Sequence, residues 1–282
     1  MLSIDVEDWF HILDLRTTPS LETWDVLPSR VERNFNVLLD LLAEHDTHAT
    51  CFFLGWVARK YPWLVRRAHD LGHEVASHGY SHQLAYTMTP SQFYMDAKEA
   101  KNAIEDAGGR EVVGYRASGF SMTHETRWMF EMLAQAGYRY DSSIFPANRG
   151  HGGFPGAFAP YRVHTAAGDL VEFPVSVTAI FRKPVCLFGG GYLRLFPWFL
   201  IRRAAQAVLR QDRPAVFYIH PREIDPDQPR LPMPIIRSFK CYVNLHTTEA
   251  KLCRLLQEFE FKTFQHLFTT VSDTCAGASA AA

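Results

Sequence analysis

Glu74-Val-Ala-Ser-His-Gly-Tyr-Ser-His82 decides how this chain is read. Glu74–Ser77 reads as a short strand that delivers His78, and a second histidine follows four positions later. Gly79 and Ser81 between them suit a loop or a helix start better than a core helix. Two imidazoles at this spacing can be aimed at one metal ion from a single turn. Alone the pattern is weak, because the chain has 13 histidines and chance pairs are expected. Its weight comes from what ends the other apolar runs.

The first apolar run ends in Asp5-Val6-Glu7-Asp8, and a later one, Phe217-Tyr-Ile, ends in His220-Pro221. Three carboxylates within four residues repel one another unless a cation or donors compensate. Alternation puts Asp5 and Glu7 on one side of an extended chain. One can then ligate a metal while the other accepts a proton from water. A solvated loop of helix-capping acids is an equally ordinary reading. Arg116 closes Val112-Val-Gly-Tyr115, where it can orient a carboxylate through a bidentate pair or make a surface ion pair. His220 reads as a general acid with a pKa near the working pH, or as a half-buried structural histidine. Two histidines with one carboxylate leave open positions for water and substrate, which is the composition of a metal-assisted hydrolytic site. Imidazole suits Zn²⁺ first, with Co²⁺, Ni²⁺ or Fe²⁺ as alternatives.

Composition narrows the class. With 282 residues, 47% hydrophobic and 21% charged, the chain is an ordinary globular one with room for a sizeable core. A net charge of -1 gives no bulk field toward nucleic acid or anionic lipid. The 5 cysteines, at 51, 186, 241, 253 and 275, are odd in number and lack CxxC spacing, so they read as free thiols of a reducing compartment. No run is apolar for long enough to cross a membrane. No secretory signal is visible before a first strand that begins at residue 2, and the expectation is a cytoplasmic protein. Self-association is left open.

Elements alternate as βα units. Strands are expected at Leu2–Asp5, Ala49–Leu54, Glu74–Ser77, Val112–Arg116, Arg139–Ser142, Leu170–Val177, Ala179–Arg182, Ala215–Ile219 and Lys262–Leu267. Helices are expected at Val31–His45, Val57–Leu71, Pro90–Ala107, His124–Ala136, Pro197–Gln211 and Thr247–Phe259. Residues 146–168 read as a long loop, and 221–236 as an irregular proline-rich surface segment. Asp5, His78, Arg116, Asp141 and His220 all follow strands. That favours a (β/α) barrel, whose strand ends converge on one mouth. A doubly wound sheet also places its sites at strand ends.

In this order, Ser3-Ile-Asp-Val-Glu-Asp-Trp-Phe10, His78-Gly-Tyr-Ser-His82, Tyr115-Arg-Ala-Ser-Gly-Phe120, Tyr140-Asp-Ser-Ser-Ile-Phe-Pro146 and Ile219-His-Pro-Arg-Glu-Ile-Asp225 resemble the motifs of the polysaccharide deacetylases, carbohydrate esterase family four of the NodB-homology type. The likeness spans roughly residues 2–265. It is nearest to a branch of peptidoglycan-type deacetylases and relatives encoded with exopolysaccharide and exosortase systems, which carry a similar C-terminal extension. The resemblance implies a distorted (β/α) barrel of about seven parallel strands with peripheral loops and a C-terminal helical extension. Residues 1–270 would form one domain, with 221–270 packed on the barrel and 271–282 a disordered tail.

It further implies Asp5 as the base, Arg116 as the group holding it and His220 as the proton donor. His78 and His82 would ligate the metal, with Glu7 as the metal carboxylate and Asp8 as the alternative, since the chain lacks the usual Asp-Asp pair. Gly79 stands where the family usually has Ser or Thr. Asp141 resembles a fourth motif that tunes the histidine, and a backbone N–H near Arg116 would receive the oxyanion. The implied activity is removal of N-acetyl groups from an N-acetylated amino-sugar polymer or oligosaccharide, in exopolysaccharide or cell-wall metabolism. The competing readings are a non-catalytic glycan-binding protein on the same scaffold and a hydrolase of a small cyclic amide. Arg222 or Glu223 is expected to reach His220 or Asp5 from the segment beyond the last strand.

Overall fold

The computed structural model describes residues 1–147, 153–180 and 183–270. Leu2–Val6 (β1) is buried at every position, as a strand covered on both faces must be. Thr50–Phe53 (β2), Glu74–Ser77 (β3), Gly114–Tyr115 (β4) and Tyr140–Asp141 (β5) are buried likewise. They lie side by side in parallel: Ser3 pairs with Thr50, Thr50 with Glu74, Ser77 with Tyr115 and Gly114 with Tyr140. Tyr161–Thr165 (β6) and Gly168–Glu172 (β7) form a hairpin whose second strand runs parallel to β5. Thr178–Ile180 (β8) and Lys183–Val185 (β9) make a separate antiparallel pair. Phe217–Ile219 (β10) returns to pair in parallel with β1. The order is β10-β1-β2-β3-β4-β5-β7-β6, so seven strands run parallel and β6 alone opposes them. Beyond β10 the sheet curls on: Gly189 bridges to Tyr218, whose N–H donates to Phe188 O at 3.1 Å. This is the distorted (β/α) barrel that the motif order implies.

Val31–Glu44 (α1) buries Val31, Phe35, Leu38, Leu39 and Leu42, the stripe its periodicity predicts. Gly55–Lys60 (α2) and Pro62–Asp70 (α3) replace the single helix expected over Val57–Leu71. Pro62 has no N–H and disfavours helical geometry at Tyr61, which sits at φ -128°, ψ 60°. Pro90–Gly108 (α4) opens on a Thr89/Gln92 capping box and stops at Gly109, in the left-handed region at φ 66°. Trp128–Ala136 (α5), Gly190–Leu195 (α6), Trp198–Leu209 (α7), Ile235–Tyr242 (α8) and Thr248–Glu258 (α9) complete the named helices.

Three further expectations change. Tyr161–Thr165, assigned to a loop, is β6. Ile235–Tyr242, at the end of the proline-rich segment, is α8. The strand expected over Lys262–Leu267 is instead a helical stretch over 264–270. Phe264, Leu267 and Phe268 recur at helical spacing and close the lower end of the barrel against Phe52, Ala76, Tyr140, Phe173 and Val216. The N–H groups of Phe264 and Gln265 donate to Thr50 Oγ1 at 3.0 Å and Glu74 Oε2 at 2.9 Å, so β2 and β3 cap this helix. Arg182, at the end of the strand expected over Ala179–Arg182, and the tail 271–282 lie outside the described residues.

Candidate functional site

The site lies at the upper strand ends. β1 carries Asp5 and leads into Glu7 there, β3 leads into His78, β4 into Arg116 and β10 into His220. Between the two histidines the chain turns sharply. Gly79 adopts φ +75°, where a Cβ would also come 2.9 Å from Asp96 Oδ2, so the usual Ser or Thr does not fit this turn. Asp96, on α4, holds the turn by accepting the N–H groups of Tyr80 at 2.9 Å and Ser81 at 3.0 Å. His82 has φ +52°, which a non-glycine residue rarely adopts. The result is convergence: Glu7 Oε1 lies 3.1 Å from His78 Nε2 and 2.9 Å from His82 Nε2. His78 Nδ1 is 2.8 Å from Arg116 O, which fixes the tautomer that leaves Nε2 free as a ligand. Glu7, His78 and His82 are buried, and their ligand atoms lie within 4.8 Å of one another, so the donor set fits a divalent ion. Burial alone would raise the pKa of Glu7. The neighbouring histidines outweigh it and hold the carboxyl well below its usual range, ready to ligate as an anion.

Asp8 does something else. It turns to the start of α1, where it accepts from Ser29 Oγ, Arg30 N and Val31 N. It caps that helix and belongs to neither group of converging ligand atoms.

Asp5 is paired with Arg116, whose Nη1 donates to Asp5 Oδ1 at 2.7 Å and to Ser3 Oγ at 2.8 Å. The pair is single-pronged, not bidentate. Arg116 has no solvent exposure and lies over the Phe52 ring at 4.0 Å, with Ser142 taking its other N–H groups. Asp5 Oδ2 is left facing His78 Nε2 at 4.0 Å and His220 Nε2 at 3.9 Å. The amides of Arg116 and Ala117 are both engaged, with Ser77 O and Ser143 Oγ, so neither is the free oxyanion donor expected near Arg116.

His220 Nε2 sits 3.7 Å from Glu7 Oε1. On its far side Nδ1 faces Glu223 Oε2 at 3.3 Å, close enough for a charge contact though not aligned as a hydrogen bond. Burial would lower the pKa of this ring, but the charges of Glu7 and Glu223 raise it. Glu223 is itself clamped by the buried Arg194 of α6, which also donates to Val243 O at 3.0 Å and Cys241 O at 3.1 Å. Burial opposes ionisation of Glu223, yet Arg194 and His220 hold its pKa low. Gly190 is needed for this approach, because a Cβ there would lie 1.7 Å from Glu223 Oε2. Asp141 is not the partner of His220. It ends β5, where Ser143 Oγ donates to it at 2.5 Å and the Glu172 carboxyl lies beside it. Arg194 and Asp96 were missed in the sequence. Their one signal there is a charge placed within an otherwise apolar face.

Residues 18–140 match the polysaccharide deacetylase family, and residues 142–269 match a domain of unknown function, DUF3473. Part of the chain is thus similar to the polysaccharide deacetylases. It is 31% identical over 107 residues to a peptidoglycan deacetylase of Helicobacter pylori, covering 38% of this chain and 36% of that one. It is 31% identical over 93 residues to chitin deacetylase 2 of Cryptococcus neoformans, covering 33% of this chain and 20% of that one. The matches therefore span about a third or less of those relatives' own length. Among solved structures, a polysaccharide deacetylase of unconfirmed assignment from Mycobacterium smegmatis has TM-score 0.60 at 19% identity, over 86% of this chain and 77% of that one. That likeness speaks to the fold. No helix among the described residues is long and apolar enough to cross a membrane. Cys51, Cys186, Cys241 and Cys253 are free thiols.

Proposed function

We propose that this protein is a metal-dependent hydrolase that removes N-acetyl groups from an N-acetylated amino-sugar polymer or oligosaccharide of bacterial cell-wall or exopolysaccharide metabolism. The observation that carries the reading is the meeting, in one pocket, of Glu7 Oε1 with both Nε2 atoms and of Asp5 with His220. Glu7, His78 and His82 would hold the ion. When bound, a divalent metal supplies Lewis acidity toward the acetyl carbonyl and toward water. Zn²⁺ fits two imidazoles and one carboxylate best, with Co²⁺, Ni²⁺ and Fe²⁺ close behind.

The chain's own groups divide the proton work. Asp5 takes the proton of the attacking water through Oδ2, while Arg116 fixes its other oxygen. His220 gives a proton to the sugar nitrogen as the C–N bond breaks, because an unprotonated amine leaves poorly. Glu223 and Arg194 position that ring from behind.

The test is metal content and acetate release measured together on chitotetraose. His78→Ala and His82→Ala should each lose most of the bound metal while keeping the wild-type circular dichroism spectrum. A full equivalent of metal in both variants overturns the ligand assignment. Asp5→Asn should keep the metal and lose nearly all turnover. His220→Ala should keep it too and lose roughly 10²–10⁴-fold in rate. Normal turnover in either variant rules out these roles.

A further inference from the structure

The same pocket has a second wall, built by the C-terminal half of the chain. The turn after β10 and helix α8 bring Arg222, Arg237 and Lys240 to its lining, beside Glu7, His82 and His220. The acids of the lining are already matched. Asp5 faces Arg116, Glu223 is clamped by Arg194, and Glu7 lies between two imidazoles. The three cations form no ion pair among the described residues, although Arg222 helps to hold the Glu223 carboxyl low. Arg222 is partly buried, and its Nε and Nη1 are shut away from solvent with no hydrogen-bond partner among the described residues. Buried donors left unsatisfied are costly, more so on a charged group, so a ligand that drew the guanidinium toward the pocket it lines would relieve that cost. Arg237 donates from Nη2 to Leu13 O at 3.2 Å, while its Nε is unpartnered. Lys240 is exposed at the rim. Arg222 also follows His220 by two residues, so whatever it grips lies next to the reacting centre.

We propose that the pocket receives a glycan bearing a carboxylate on, or adjacent to, the N-acetylated sugar, with Arg222 as its main anchor and Arg237 and Lys240 flanking it. The inference rests on the deacetylase reading of this site and adds a charge requirement to it. A guanidinium presents a planar fork that matches a carboxylate, and its fixed charge is worth more in a partly desolvated wall than on an open surface. The hydroxyls of a neutral sugar would satisfy the donors but leave the charge uncompensated. Two sugar chemistries supply such a carboxylate: a neighbouring uronic acid, and the lactyl ether of muramic acid.

Three oligosaccharides separate these cases on the full-length, metal-loaded protein: neutral chitotetraose, a hyaluronan tetrasaccharide, and the N-acetylglucosaminyl–N-acetylmuramic acid disaccharide. The expected result is a kcat/KM for acetate release roughly tenfold or more higher on one acidic sugar than on chitotetraose, the worth of one charge-assisted contact. Which acidic sugar is preferred names the source of the carboxylate. The ratio should fall toward one in Arg222→Gln, and should shrink as NaCl is raised from about 50 to about 500 mM. Lys240→Gln, at an exposed position, should lower the ratio by a smaller factor and serves if Arg222→Gln fails to fold. Calorimetric binding of the same sugars to chelator-treated protein provides a readout independent of turnover. If no sugar is deacetylated but an acidic one binds through Arg222, the deacetylase reading falls and the carboxylate site stands. If chitotetraose is deacetylated and bound as well as the acidic sugars, or the substitutions leave the ratio unmoved, the carboxylate site is refuted and the deacetylase reading stands.

Discussion

At the scale of single residues, the site is a set of charges each defined by a neighbour, and His220 shows it best. Glu7 on one side and Glu223 on the other raise its pKa against the opposing effect of burial. A general acid works below its pKa, so Glu223→Gln should move the alkaline limb of the kcat–pH profile to lower pH and reduce kcat more than it raises KM. A merely structural role for Glu223 would leave that limb in place, and Glu223→Asp should restore part of it. At the ends of β5 and β7, burial raises Asp141 to about 6 and Glu172 well above the carboxylate range. The folded protein therefore holds protons that the unfolded chain releases. The stability this provides is fully present below the unfolded carboxylate pKa and is lost as pH rises through about 6. Urea unfolding between about pH 4.5 and about pH 7.5 should show a smaller pH slope in Asp141→Asn than in wild type; equal slopes would mean the pair ionises as ordinary carboxyls do. The residues legible in the sequence were those that end strands: Asp5, Glu7, His78, His82, Arg116 and His220. Arg194 and Glu223 meet across 29 positions of sequence, and no local pattern records such a meeting.

At the scale of elements, what periodicity could reach was read correctly: β1, β3, α1, α4 and α9 fall within a residue or two of their expected bounds. What it missed has a physical cause in each case. Pro62 breaks a helix whose apolar stripe continues past it. β6 looks like loop because its side chains are half-exposed in alternation on an edge strand. The stretch 264–270 is short, and Phe264, Leu267 and Phe268 share one face only as a helix. Phe264 fills the barrel floor, stacked on Tyr140 at 5.9 Å and edge-on to Phe52 and Phe173 at 5.5 Å. Phe264 is fully buried, so Phe264→Ala should cost about 3–5 kcal/mol in urea unfolding, the usual loss for a buried phenylalanine. A cost under about 1 kcal/mol would mean this helix is not part of the folded core.

At the scale of the whole molecule, the two family-matched segments share one sheet. The stretch matching the deacetylase family ends at residue 140, within β5, while β7 and β10 come from the second stretch and pair with β5 and β1. Leu252, Leu255 and Leu256 of α9 belong to the same apolar cluster as Leu2, Ile4 and Phe217. We propose on this ground that residues 1–270 unfold as one cooperative unit, with the C-terminal region integral to the barrel. Truncation after Pro234 tests it, because it removes α8, α9 and the helical floor together. The loss is also local to the chemistry: Cys241 O and Val243 O no longer hold Arg194, and Thr248 Oγ1 no longer reaches Glu223 O, so the clamp behind His220 loosens. The truncated protein should be insoluble, or should melt far below the full chain in a broad transition. Any soluble fraction should lose activity even when loaded with metal, since its acid is no longer positioned. A soluble and active truncation with an unchanged melting temperature would show that the extension is a separable module and that the clamp is dispensable.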